Sequence, residues 1–314
     1  MASLPYPELM AQWIKRHVVN RVQDQWSSAI AKSQHNQVSL ALVPVLRATN
    51  HDQEKLPDEA AVMEIIVGIG SQSRVRISRC VQMMMGRLSK THSWVVALKC
   101  LILIHRCLCE GGFMFQDQIS FHREICSGRN CLNMSNFKDK DSPLSWSASG
   151  WIRWYAGFVE KWIQTSRSLG LFFNCDVVRE GRESDHIMTL PTANFVTEFM
   201  CLHEFLHEAS MAMDSFVDHL LVKESLKLVM IVVGRAYEEL QYRFKQIEPR
   251  ISILTRSEAA SLLQVCERLS SETMLLTHLF EVCSDVMESN VRFKEILITD
   301  YELLNLKSHL QSVL

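Results

Sequence analysis

The sequence predicts an all-α protein, and three observations carry that expectation. Apolar residues recur at three- and four-residue spacing along most of the chain, glycine (11) and proline (7) are scarce among 314 residues, and no alternating apolar and polar segment is long enough to build a sheet. Scarcity of turn residues matters because a many-stranded sandwich or barrel needs one at nearly every strand end. At this length a single core reaches its upper size limit, so two domains or an elongated stack of helices is expected.

The elements follow in order. Met10, Trp13, Ile14, Val18, Val22, Trp26 and Ile30 make one apolar stripe on an N-terminal helix, with Lys15, Arg16 and Arg21 off it. Ser39 to Thr49 and Pro57 to Ile69 read as two short helices joined by a polar linker, with Pro57 placed for a first helical turn. The run WVVALKCLILIHRCLC after Ser93 is apolar on every side and stops at Gly111-Gly112, which predicts a central buried helix closed by a left-handed glycine. Residues 130–149 read as a loop and WIRWYAGFVEKWI as the helix after it. Residues 174–189, the most polar stretch, read as an insertion. Three long helical patterns follow over 192–219, 220–244 and about 257–287. In the middle one Val222, Leu226, Val229, Val233, Tyr237, Leu240 and Phe244 keep a spacing that favours near-antiparallel packing in a bundle or solenoid.

Composition narrows the function. With 47% hydrophobic and 22% charged residues and 33 basic against 35 acidic side chains, the chain is neither collagen, nor a disordered acidic tail, nor a strongly basic nucleic-acid binder. Ten cysteines occur at irregular spacing. Cys100, Cys107, Cys109, Cys201, Cys266 and Cys283 fall in apolar runs, which reads as reduced core thiols in a cytosolic protein. The N-terminus has no charged region followed by an apolar block, and the stretches 94–104 and 226–233 are broken by Lys99 or too short to span a bilayer. Prenylation and myristoylation signals are missing too, so membrane contact is expected to be peripheral.

RATNHDQEKLPDEAAVMEIIVGIG, then GRLSKTHSWVVALKCLILIHRCLCEGGFMF, then GRNCLNMSNFKDKDSPLSWSASGWIRWYAGFVEKWI resemble the ANTH domain of monomeric clathrin assembly proteins, most closely its land-plant branch. LLVKESLKLVMIVVGRAYEELQYRF and CERLSSETMLLTHLFEVC continue the pattern, and the similarity covers roughly residues 36–290. It implies a right-handed superhelical stack of antiparallel helices of ENTH/ANTH type, flanked by an N-terminal helix (1–35) and a C-terminal helix or tail (291–314), with the polar insertion at 174–189. It also implies a non-enzymatic adaptor without a cofactor. Such a protein is peripheral on clathrin-coated pits and vesicles at the plasma membrane or Golgi apparatus, reads phosphatidylinositol 4,5-bisphosphate, and helps recruit clathrin and select SNARE proteins. Family members carry a long tail with short clathrin and adaptor peptides, whereas this chain is expected to end with the folded domain and contains no DLL or NPF tripeptide.

The family's lipid site has a basic residue before Ala-Thr and, after a spacer, proline followed by lysines. Arg47, Thr49 and His51 match the opening and Lys55 lies in the spacer, but Asp58, Glu59, Ala60 and Ala61 follow Pro57. Carboxylates there repel phosphates, so binding weaker than the family norm is expected. Downstream, residues 65–109 contain no Asp or Glu, while Arg74, Arg76, Arg79, Arg87, Lys90, Lys99 and Arg106 are basic. The expectation is a displaced membrane-facing patch, with Arg74, Arg76 and Arg79 crowding one side of a helix; pairing of these arginines with acids on neighbouring helices is the competing reading.

Among catalytic patterns, HEFLH offers His203 and His207 at i and i+4 with Glu204 between them, the arrangement with which a zinc peptidase binds metal and activates water. His219 and Glu224 are conceivable third ligands, but Ser210 and Met213 occupy the places of the extended motif's glycine and third histidine. A chance match is therefore expected, with Leu202, Phe205, Leu206 and Ala209 as the core face and the histidines partly exposed. Met83, Met84 and Met85 are expected to fill core gaps. Tyr301 to Leu304, YELL, has the form of a tyrosine sorting signal and is expected simply to pack.

Overall fold

A computed structural model describes residues 24, 37–70, 74–125, 132–172, 187–212, 216–284 and 298–314. Its regular elements are helices, with no strand among the described residues. The predicted N-terminal helix lies outside them except for Asp24, as do residues 174–186 of the polar insertion. In chain order the helices are α1 (Gln37–Ala48), α2 (Glu59–Gly70), α3 (Arg74–Lys90), α4 (Trp94–Glu110), α5 (Gly112–Ile125), α6 (Pro143–Leu169), α7 (Thr192–Ser210), α8 (Leu220–Lys245), a 3-10 turn (Glu248–Ile253), α9 (Arg256–Ser284) and α10 (Asp300–Gln311). Two compact units result, residues 1–160 with 215–228 and residues 161–214 with 229–314.

In the first unit α4 is the central helix that its composition predicts. Apart from Arg106, every residue from Trp94 to Cys109 is buried, Lys99 and His105 included. Gly112, with φ of 72°, supplies the left-handed turn that reverses the chain into α5, a helix that the apolar pattern leaves unassigned. The start of α4 is capped from afar, because the Trp94 N–H donates to the buried Asp139 carboxylate (2.9 Å). Asp139 is held there by its own N–H donating to Ser149 Oγ (2.9 Å).

Residues 143–149 belong to α6 rather than to the preceding loop. Proline at the first helical position loses no backbone bond, and Ser142 and Ser145 close the turn by exchanging N–H to Oγ bonds (2.9 and 3.1 Å). Trp151, fully buried, donates Nε1 to Ser225 Oγ (2.8 Å).

In the second unit α7 packs against α9, and α9 against α10. The predicted helix over 192–219 stops at Ser210, whose hydroxyl turns back onto the His207 carbonyl (2.7 Å). Two buried arginines organise this unit. Arg243, with no exposed surface, meets Glu198 of α7 (2.7 Å) and Glu239 one turn earlier on α8 (2.6 Å). Arg250 donates to the carbonyls of Ile187 (2.7 Å) and Met188 (3.0 Å) and lies 4.4 Å above the Phe195 ring centroid. The last helix is capped reciprocally, since Thr299 Oγ1 accepts from the Glu302 N–H and Glu302 accepts from the Thr299 N–H.

Candidate lipid-facing site

The turn between α1 and α2 is built on buried hydrogen bonds. Thr49 is buried; its hydroxyl donates to the Val45 carbonyl (2.6 Å) and accepts from Arg87 Nε (2.6 Å), while Arg87 Nη2 donates to the Thr49 carbonyl (2.7 Å). Lys99 of α4 reaches up from the core, donating Nζ to Asn50 Oδ1 (2.8 Å) and the Asp52 carbonyl (2.7 Å). Burial pushes the Lys99 ammonium down to about 8, against the pull of Asp52 and Asp24. The Asp24 carboxylate accepts from the His51 N–H (2.8 Å), lies 2.8 Å from His51 Nδ1 and stands 3.6 Å from Arg87. Thr49 and His51 thus hold the turn together and are not open to a head group.

The remaining residues of the opening are neutralised locally. Arg47 is 42% exposed, yet its guanidinium contacts Asp58 (3.0 Å) and Glu64 (3.3 Å). Lys55 contacts Asp52 (3.3 Å). Asp58 does more than repel phosphate. It is the first residue of the α2 turn, accepting from the N–H groups of Ala60 (3.1 Å) and Ala61 (3.3 Å) through Oδ1. Desolvation alone would raise its carboxyl, but Arg47 and these backbone donors hold it below the usual carboxylate range. One arginine facing two carboxylates leaves the pocket with a net negative charge.

The stretch that is purely basic in sequence is divided by the fold. Arg74 contacts Asp117 of α5 (3.1 Å), and Arg106 contacts Glu59 (2.5 Å) and Glu110 (2.9 Å). At about 100° per residue, Arg74 and Arg76 diverge by about 200° around α3, so the three arginines do not crowd one side. Arg76, Arg79 and Lys90 do share an outward arc of about 60° with Arg87 at its edge. Arg76 and Lys90 are exposed and Arg79 half-buried. The basic surface is therefore a stripe along α3 that includes Lys90 and excludes Arg74.

HEFLH lies on α7 with Leu202, Phe205, Leu206 and Ala209 buried as expected. His203 is buried rather than partly exposed: its Nε2 is 2.7 Å from Glu272 of α9, and His207 Nδ1 is 3.0 Å from the other oxygen of the same carboxylate. Both approaches are short but fall outside hydrogen-bond geometry. Arg268 approaches the same carboxylate at 3.2 Å, and Glu204 turns away to Lys161 (2.6 Å). No group of three His, Cys, Asp or Glu among the described residues could hold a metal ion. Elemental analysis of the purified protein is expected to find less than stoichiometric zinc, and a chelator to leave its melting temperature unchanged. One equivalent of zinc lost on His203→Ala would refute this.

Met84 and Met85 are buried. The thiols of Cys100, Cys107 and Cys266 are buried and pushed upward by desolvation, whereas Cys201 is half-buried, and the Cys283 side chain lies outside the described residues. YELL does not simply pack. Leu303 is buried, but Tyr301 and Leu304 are 79% and 69% exposed.

Comparison with known proteins agrees with this helical architecture. The family model described as ANTH domain matches residues 42–292. An Arabidopsis thaliana protein named "Putative clathrin assembly protein" is 31% identical over 264 residues, covering 81% of this chain and 71% of its own length. A second Arabidopsis protein of that name is 28% identical over 287 residues, covering 85% of this chain and 46% of its own. A third is 39% identical over 146 residues, 46% of this chain and 22% of its own. The chain thus spans less than half the length of the second and third. With a family model over most of its length and a relative matched along most of both chains, this chain belongs to the ANTH domain family.

Proposed function

We propose that the chain is a non-enzymatic, membrane-peripheral adaptor in clathrin-coat assembly, meeting phosphoinositide head groups through the stripe Arg76, Arg79 and Lys90 rather than through the turn around Arg47. The observation that carries the placement is the pairing of Arg47 with Asp58 and Glu64. Family membership and the relatives' names support the clathrin connection. Clathrin and SNARE helices are the macromolecular partners that the reading assigns, at coated pits and vesicles. No helix among the described residues is long and apolar enough to cross a membrane, which fits attachment from one side.

Sedimentation with phosphatidylcholine and phosphatidylserine vesicles, with and without phosphatidylinositol 4,5-bisphosphate, tests this. Each cation near an anionic leaflet is worth ~1 kcal/mol, so Arg76→Glu with Arg79→Glu should weaken the phosphoinositide-dependent binding by about tenfold or more. Arg47→Glu should weaken it less, because that charge is already matched. Asp58→Asn with Glu64→Gln should strengthen it, since asparagine keeps the helix cap while Arg47 is released. If Arg47→Glu abolishes binding and the double reversal on α3 does nothing, the head-group site is the turn and the placement on α3 is wrong.

A further inference from the structure

Of the large apolar side chains exposed among the described residues of the first unit, six fall on three helices that pack together: Met63 and Val67 on α2, Val75 on α3, and Phe113, Met114 and Phe121 on α5. Phe113 is 74% exposed, an unusual cost for an aromatic ring that could bury most of its surface. The six lie on one surface. On α5, helical spacing brings Phe113, Asp117, Phe121 and Met114 within an arc of about 100°. Both α2 and α3 pack against α5, and two contacts fix where. Arg106 touches Met63 Sδ (3.9 Å) and Glu110 (2.9 Å), three residues before Phe113. Arg74, next to Val75, contacts Asp117 (3.1 Å) in the middle of the α5 arc.

Every arginine bordering this surface on the Arg106, Arg74 and Arg47 side faces a carboxylate. Arg106 faces Glu59 and Glu110, Arg74 faces Asp117, and Arg47 faces Glu64. With Asp58 also facing Arg47, three arginines meet five carboxylates, so the attraction of this surface for a bilayer comes from its apolar side chains and the adjoining basic stripe. Val75 and Arg79 are neighbours at i and i+4 on the outward side of α3, so the apolar surface runs directly into the basic stripe.

We infer that this face inserts into the interfacial zone of a lipid bilayer and anchors the chain independently of phosphoinositide. The inference rests on the membrane-binding reading above. Continuity with the basic stripe selects a lipid surface as the occupant, and so does the composition, with aromatic rings and methionine bordered by ion-paired arginines. Energetics point the same way. Stable peripheral attachment takes two signals, and with the turn around Arg47 neutralised, a weakened head-group contact needs a second one.

The test uses the full chain with Phe113→Ser and Phe121→Ser together. Both rings are exposed, so the fold should survive, which circular dichroism checks. The unaltered chain is expected to raise the surface pressure of a phosphatidylcholine and phosphatidylserine monolayer. It is also expected to keep sedimenting with such vesicles at about 1 M salt, where the screening length is ~3 Å. The double serine variant should lose the pressure rise and at least about fivefold of the salt-resistant binding, whereas Arg76→Glu with Arg79→Glu should lose neither. Equal behaviour of the serine variant and the unaltered chain overturns the inference and leaves the head-group reading standing. Absence of binding by the unaltered chain to every vesicle overturns both. A dimer that the serine variant converts to monomer, without any pressure rise, assigns the face to a second copy and overturns it as well.

Discussion

Arg243→Met is expected to destabilise the second unit by about 3–5 kcal/mol, the cost of leaving buried charge without its partner. The guanidinium is fully buried, with Glu198 at 2.7 Å and Glu239 at 2.6 Å, both nearly as buried as Arg243 itself. Removing it leaves two carboxylates facing each other in an apolar setting, where neither can be solvated and both repel. The attraction being lost is not a net gain of that size, because desolvating three charges offsets much of it. The physical account therefore makes a second claim. Converting Glu198 and Glu239 to glutamine together with Arg243→Met should recover most of the loss, since no charge then remains to be compensated. Urea unfolding of the two variants measures both effects. A single substitution costing under about 1 kcal/mol, or a triple variant as unstable as the single one, would show that the cluster does not hold α7 to α8 in this way.

The second large effect is a loss of stability in acid that originates at His105. The imidazole lies inside α4, with Nδ1 2.9 Å from the Tyr155 hydroxyl and its ring stacked near Phe158, and burial pushes its pKa down to about 3. Between pH 6.5 and 3 the unfolded chain binds a proton at this site and the folded chain does not. Stability is therefore fully present above about 6.5 and falls as pH drops, by about 1.4 kcal/mol per unit and about 3 kcal/mol by pH 4. His122 and His219, also lowered by burial, add to the slope in the same direction. In the His105→Phe variant the ring stack is kept and the titration removed, at the constant cost of the Tyr155 partner. Its stability should fall less steeply from pH 6.5 to 4, whatever its value at pH 7. Parallel pH profiles for the two proteins would exclude His105 as the source.

Sequence alone determined the helical class, the buried central helix with its glycine stop, and the family. All of these depend on local periodicity or on the order of motifs, and such patterns are written along the chain. Helix α4 is legible because sixteen residues apolar on all sides have no other stable place than the interior. Where the local code is weak, the reading runs short: Ser210 ends α7 although apolar residues continue beyond it, and α5 carries too many exposed apolar residues to show one clean stripe.

Only the tertiary structure decided which charges are available. Arg47 is quenched by carboxylates 11 and 17 residues away, Arg74 by one 43 residues away, and Lys99 is drawn into the turn before α2. Asp58 could have been read as a helix cap from its place after Pro57 and before an apolar run. Its second role, holding Arg47, depends on how α1 lies against α2. His203 and His207 meet Glu272 only because α7 packs on α9. Coulomb energy depends on distance and dielectric in the folded chain. A run of like charge in sequence therefore becomes a patch, an ion pair or a buried anchor according to packing that periodicity does not encode.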